Sequence, residues 1–171
     1  YEKVLGCDPN TGDACMRAFI TDFGRRAYRR PLTDAEKATY ASLFAQGNSL
    51  VEGAATPFQK GIQTTLQAFL QSPHFIFRVE LSTTNAAATV VALNGHELAS
   101  RLSYLIQNGP PDDTLLQAAA SGQLNSADLV AAQARRLVES PAGRDTISDF
   151  HRQWPRLAAL PTKLTRDTTR D

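Results

Sequence analysis

The chain has 171 residues, 42% of them hydrophobic and 20% charged, and a formal net charge of +1. That length suits one helical domain or two small units sharing a core. The near-zero charge excludes a global field drawing the protein to nucleic acid or a membrane surface, and no apolar run has the length of a bilayer span.

The opening, YEKVLGCDPN, lacks the basic-then-apolar pattern of a signal peptide. Either a signal has been removed or the sequence is a piece of a longer chain. Cys7 and Cys15 are the only cysteines, and they flank the turn-forming run Asp8-Pro9-Asn10-Thr11-Gly12. A Cys7–Cys15 disulfide is expected, and closing so short a loop stabilises by about 2–3 kcal/mol in the chain-entropy model. Such a pair suits an exported protein, periplasmic or secreted. Two cysteines alone cannot build a structural zinc site, and no Cys-x-x-Cys-His is present to attach haem. No cofactor is expected.

Helical spacing runs through nearly the whole chain. A first helix is expected from about Asp13 to Arg30, with Met16, Phe19, Ile20, Phe23 and Ala27 on one stripe. Pro31 ends it. Thr33 to Glu36 reads as a capping box opening a second helix, which Gly47 and Asn48 should close. A third runs from about Pro57 to Gln71, with Phe58, Ile62, Leu66, Phe69 and Leu70 as its buried stripe. Ser72-Pro73 interrupts, and His74 to Leu81 fits either a strand or a short helix. Residues 82–92 are small and polar and read as a linker. Asn94 to Glu97 reads as a second cap, opening a helix on Leu98, Leu102, Leu105 and Ile106. Asp112 caps a short helix to about Ala120, Asn125 starts another, and Ser140-Pro141 begins the last. Ile147, Phe150 and Trp154 are expected to point inward there, Pro155 to stop that helix, and the polar tail 162–171 to fray. The fold expected is an all-α multi-helix bundle: an N-terminal half (1–81), the linker, and a C-terminal half (93–171), sharing one core.

The segment FGRRAYRRP holds four arginines in six residues. At about 100° per residue on a continuous helix, Arg25 and Arg29 face away from the apolar stripe, as a partner-binding pair. Arg26 lies at the stripe's edge, Arg30 falls on the stripe near the last carbonyls, and Asp22 is expected to pair with both Arg25 and Arg26. Arg78 with Glu80, and Glu97 with Arg101, read as structural ion pairs. Nucleic-acid binding through this arginine-rich helix is a weaker alternative, because a dedicated binder carries a strong basic excess.

His74, His96 and His151 are the only histidines, and none is paired at metal-ligand spacing on one helix. The alternative to a non-catalytic module is therefore an enzymatic or metal-dependent site assembled around them between the halves. No nucleophile elbow or phosphate-cradling loop is present. Asp112 and Asp113 could do acid–base work, but a helix N-terminus consumes such groups as caps.

Five blocks occur in order: FGRRAYRRPLT, LQSPHFIFRVE, HELASRLSYLI, PPDDTLL and FHRQW. Together they resemble the large extracytoplasmic proteins, common in planctomycetes and myxobacteria, that carry the domains of unknown function numbered 1595 and 1592. The first block is similar to the former domain, and the blocks from Leu70 onward to the latter. The resemblance implies an exported, multidomain protein associated with cytochrome c-like domains, and carries no catalytic residues with it. The chain departs from the pattern at Ser103 to Gln107, where the family reads Ser-Tyr-Phe-Leu-Trp, and at Pro155, where it reads Leu. The function expected is a structural or interaction module of a larger exported assembly, with a protein partner or neighbouring domains.

Overall fold

A computed structural model describes residues 5–80 and 92–154. A 3-10 turn, Pro9–Thr11, is capped by the Asp8 carboxylate, which accepts from the Asn10 amide at 2.9 Å. The Cys7–Cys15 disulfide is formed, with 5.4 Å between its Cα atoms, and ties that turn to the first helix. The elements that follow are α1 (Asp13–Tyr28), α2 (Asp34–Leu50), α3 (Pro57–Gln71) and the single turn α4 (Pro73–Ile76). After the undescribed segment come α5 (Gly95–Gln107), α6 (Asp113–Ala120), α7 (Ala127–Glu139) and α8 (Pro141–Gln153). The protein is an all-α bundle in two halves.

Most starts follow from side-chain chemistry. Thr33 and Glu36, Thr56 and Gln59, and Asn94 and Glu97 form reciprocal capping boxes, each satisfying backbone donors that a helix start leaves open. Asp112, Ser126 and Ser140 cap α6, α7 and α8 with single side-chain bonds.

Several stops differ from expectation. α1 ends at Tyr28, and Arg29 takes a left-handed conformation (φ 58°, ψ 21°) as its C-cap. α2 runs through Gly47 and Asn48 to Leu50. Gly47 is not a stop but a contact: a Cβ there would lie 2.5 Å from both Cα and N of Gly61 on α3. The segment beginning at His74 resolves into the turn α4 and an irregular run over 77–80, with no strand. The linker expected at 82–92, Ala92 excepted, and the tail 162–171 lie outside the described residues, as does Pro155. At the end of α8, Ile147, Phe150 and Trp154 are exposed, Trp154 at 76%, so the tryptophan is not the core anchor expected.

Buried apolar side chains form two clusters where one shared core was expected. The first joins α1, α2 and α3 through Phe19, Ile20, Tyr28, Tyr40, Ile62 and Phe69. Phe69 is fully buried, and its ring stacks on Tyr40 with centroids 3.7 Å apart. Burial of a side chain of that size stabilises by about 1.5–3 kcal/mol. The second cluster joins α5, α6 and α7 through Ala99, Leu115, Ala118 and Leu137, with Leu124 from the loop.

Candidate functional site

Between the two clusters the halves meet through polar and cationic contacts. Arg25 on α1 pairs with Asp113 on α6 at 2.7 Å. Arg101 on α5 grips Glu80 with two bonds, 3.1 and 2.8 Å. Arg78 lies over the Tyr104 ring, 5.0 Å from its centroid, a cation–π contact. The ion pairs drawn from sequence are thus re-partnered. Arg101 reaches Glu80 instead of Glu97, and Arg78 reaches Tyr104 instead of Glu80. The Glu97 carboxylate accepts from the Asn94 amide in the cap of its own helix.

The arginine quartet also divides differently. Arg30 precedes Pro31, and the proline ring disfavours helical backbone for the residue before it. The helix therefore ends early, and Arg29 swings inward. It is 6% exposed, which removes it from the exposed docking pair. Its Nη2 donates to the carbonyls of His74 (2.6 Å) and Phe77 (2.7 Å), and its Nη1 more weakly to those of Ala27 and Phe75. Arg29 thus holds α4 and the residue that follows it, Phe77. Arg25 is half-buried against Asp113, so the basic face imagined for nucleic acid is largely consumed within the fold. Arg26 is exposed and donates to the Asp22 carbonyl, a bond to backbone in place of an ion pair.

Arg30 makes a two-bonded pair with Glu36, at 2.9 and 2.7 Å. The bonded guanidinium, more than any other cause, holds the Glu36 carboxyl down at about 2, and Glu36 in turn raises Arg30. A pair that spacing alone did not suggest joins Arg136 to Asp112 at 2.7 and 3.0 Å; Arg136 keeps that carboxyl below its ordinary range while Asp112 still caps α6.

Along this junction runs a cleft of about 230 Å³. Tyr28 at the end of α1, Arg29 and Arg30 after it, and His74 from α4 form one wall; Gly95 to Glu97 and Ser100 of α5 form the other. Tyr28 is anchored: its hydroxyl bonds to Tyr40 and donates to Ser72 Oγ at 2.8 Å, and its ring lies 4.9 Å from that of His74. Burial, with the Tyr28 hydroxyl next in weight, pushes Tyr40 well above the ordinary phenol range. Burial, then the Arg30 charge, lowers His96 and favours its neutral form. Two buried polar atoms, His96 Nδ1 and Ser100 Oγ, have no hydrogen-bond partner. Of the three histidines, His74 and His96 share this cleft. His151 is exposed on α8 with Nδ1 bonded to the Ile147 carbonyl, so the three do not converge. Among the described residues no group of three or more His, Cys, Asp or Glu side chains could hold a metal ion.

On the far side of Arg29 lies a broader, more open hollow of about 520 Å³. Phe75, Ile76 and Phe77 form its apolar ledge, Tyr104 and Arg78 its floor. Ile76 and Phe77 are exposed by 59% and 62%. The hollow's lining includes two arginines and no carboxylate among the described residues.

Residues 15–80 match the family described as Protein of unknown function (DUF1595), and residues 93–170 match Protein of unknown function (DUF1592). The chain contains a DUF1595-like region followed by a DUF1592-like region. The boundary falls later than the blocks suggested, since Leu70 to Glu80 lie within the DUF1595-like region. That region supplies α1 to α4 and the DUF1592-like region α5 to α8, so the cleft and its arginine contacts form where the two regions meet. Neither a curated protein nor a solved structure matches the chain. No helix among the described residues is long and apolar enough to cross a membrane.

Proposed function

We infer that the chain is a non-catalytic interaction module of a larger exported protein, periplasmic or secreted, that docks a protein segment carrying apolar and acidic side chains. The ledge of Phe75, Ile76 and Phe77 carries this reading. Three consecutive large apolar side chains stand exposed, whereas the aromatic rings of α1 to α3 are buried or half-buried. Contiguous apolar exposure of this kind marks interaction sites. Arg78 and Arg29 beside the ledge, with no carboxylate lining the hollow, favour acidic groups on the partner. The disulfide supports an oxidising compartment. The family resemblance supports a longer multidomain chain, with cytochrome c-like domains as candidate neighbours.

The test places a photo-crosslinking amino acid at Phe77 in the protein expressed in its native host. A discrete protein adduct is expected, lost when Ile76→Asp is added on the same chain. Crosslinking that is absent, or indifferent to Ile76→Asp, contradicts the reading.

A further inference from the structure

We propose that His96 makes the junction between the halves an acid-sensitive clasp, closed while its imidazole is neutral and loosened when the ring takes up a proton. His96 is the second residue of α5, and it lines two hollows at the junction. In the cleft it shares the walls with Tyr28, Arg29, Arg30 and His74. In the other hollow it stands with Arg25 and Pro31 of the first half and Asp113 of α6. Its Nδ1 is buried and has no hydrogen-bond partner. A neutral imidazole can leave one nitrogen as a bare acceptor, but an imidazolium carries a donor on both. Protonation of the closed form therefore strands a buried, charged N–H, which costs more than an unused lone pair. Parting of the halves uncovers the ring and takes it away from the arginine corner, so the charged form favours the looser state.

The surrounding charges act in the same direction. Facing His96 are Arg25 of α1, Arg29 and Arg30 of the corner after it, His74 of α4, Asp113 of α6, and Glu97 beside it on α5. Both carboxylates are engaged, Asp113 by Arg25 at 2.7 Å and Glu97 by the Asn94 amide at 3.0 Å. Burial, then the like charge of Arg30 across the junction, holds the ring below the ordinary imidazole range. The first turn of α5 adds the positive end of a helix dipole. A histidine lowered in this way stabilises the closed form fully above the ordinary value of 6.5, and that contribution is lost as pH falls below it. The window lies above the acid limb set by Glu36, which begins near 4.5. The docking hollow is itself built from both halves, with Arg29 and Phe75 to Arg78 on one side and Tyr104 and Asn108 on the other. Loosening would deform it as well, although the clasp does not depend on the docking reading.

The test is amide hydrogen exchange on the intact protein from about pH 7.5 to about pH 5.5, expressed as protection so that the intrinsic pH dependence of exchange is divided out. The ring C–H signals of His96 are followed by NMR over the same range. Protection at residues 95–101 is expected to fall by about threefold or more, up to the roughly tenfold that one such group supplies a pH unit below its open-state value. The amides of Phe75 to Phe77, which belong to the other half, should fall with them. The fall should begin near 6.5 and level off where the His96 ring takes its proton in the closed protein. His96→Gln should abolish it, whereas His74→Gln, on the facing wall of the same cleft, should leave it in place. Unchanged protection, a fall confined to α5, or a fall undiminished in His96→Gln overturns the proposal. So does a His96 ring that titrates at or above 6.5 in the native protein, a result that requires no variant.

Discussion

Arg30 and Glu36 face each other across the break between α1 and α2, joined by bonds of 2.9 and 2.7 Å, while Glu36 also accepts from the Thr33 amide at 2.8 Å. One carboxylate therefore both closes the α1–α2 corner and caps α2. Its pKa falls from an ordinary 4.5 to about 2, with the Arg30 bond as the largest cause. A carboxyl depressed on folding stabilises the native state above its unfolded pKa, and that contribution is lost as pH falls through the folded value. Thermal stability should thus decline as pH drops from about 4.5 towards 2. Glu36→Gln should lower stability at pH 7 by about 1–2 kcal/mol and flatten that acid limb, as measured by denaturation across pH.

The Gly47–Gly61 contact sets a second expectation, opposite in sign to helix propensity. Alanine in place of a mid-helix glycine normally gains up to about 1 kcal/mol. At Gly47 the added carbon would meet Gly61 backbone at 2.5 Å, and backbone cannot rotate away. Gly47→Ala should therefore destabilise by about 1–3 kcal/mol, the usual cost of overpacking. Urea denaturation gives the sign directly.

Arg29 combines an unusual backbone with a large set of bonds. A left-handed conformation costs a non-glycine residue roughly 1–2 kcal/mol. Arg29→Gly removes that cost but also the guanidinium that holds three carbonyls of residues 74, 75 and 77. Net destabilisation is expected, with faster hydrogen exchange at Phe75 to Phe77, whose amides are bonded within that turn. An unchanged exchange rate there would remove Arg29 as the anchor of α4. Arg29→Lys should rescue little, because a lysine cannot span carbonyls with a planar fork.

Reduction of Cys7–Cys15 should lower stability by about 2–3 kcal/mol. The loss should appear first in the Pro9–Thr11 turn and the start of α1, which the bond joins. Exchange in α5 to α8 should not change, because the second cluster includes no residue of that turn or of α1.

Local signals in the sequence located the helices well. Thr33 to Glu36 and Asn94 to Glu97 were readable as starts because a cap is a contact within four residues. The fate of Arg29 could also have been read: Pro31 bars Arg30 from the helix, so the fourth arginine could not continue the stripe and the third had to turn. Gly47 misled because a glycine near a helix end ordinarily signals a stop, and only the facing Gly61 reveals that it is a packing point. The pairs Arg25–Asp113 and Arg101–Glu80 join residues 88 and 21 apart, a separation at which no spacing rule operates. The cleft was legible only as a list of histidines. Its actual pattern, His96 of α5 set against the corner of Arg25 to Arg30, became informative once Nδ1 had no partner.

The central claim is that two separately cored helical halves are held together by arginines. Hydrogen exchange on the Arg25→Ala, Arg101→Ala variant tests it most directly. The expected result is retained protection in α1 to α3 and in α5 to α7, with protection lost chiefly around the cleft, at residues 74–80 and 95–101. Cooperative loss of protection across both halves, or no change at the cleft, would contradict it.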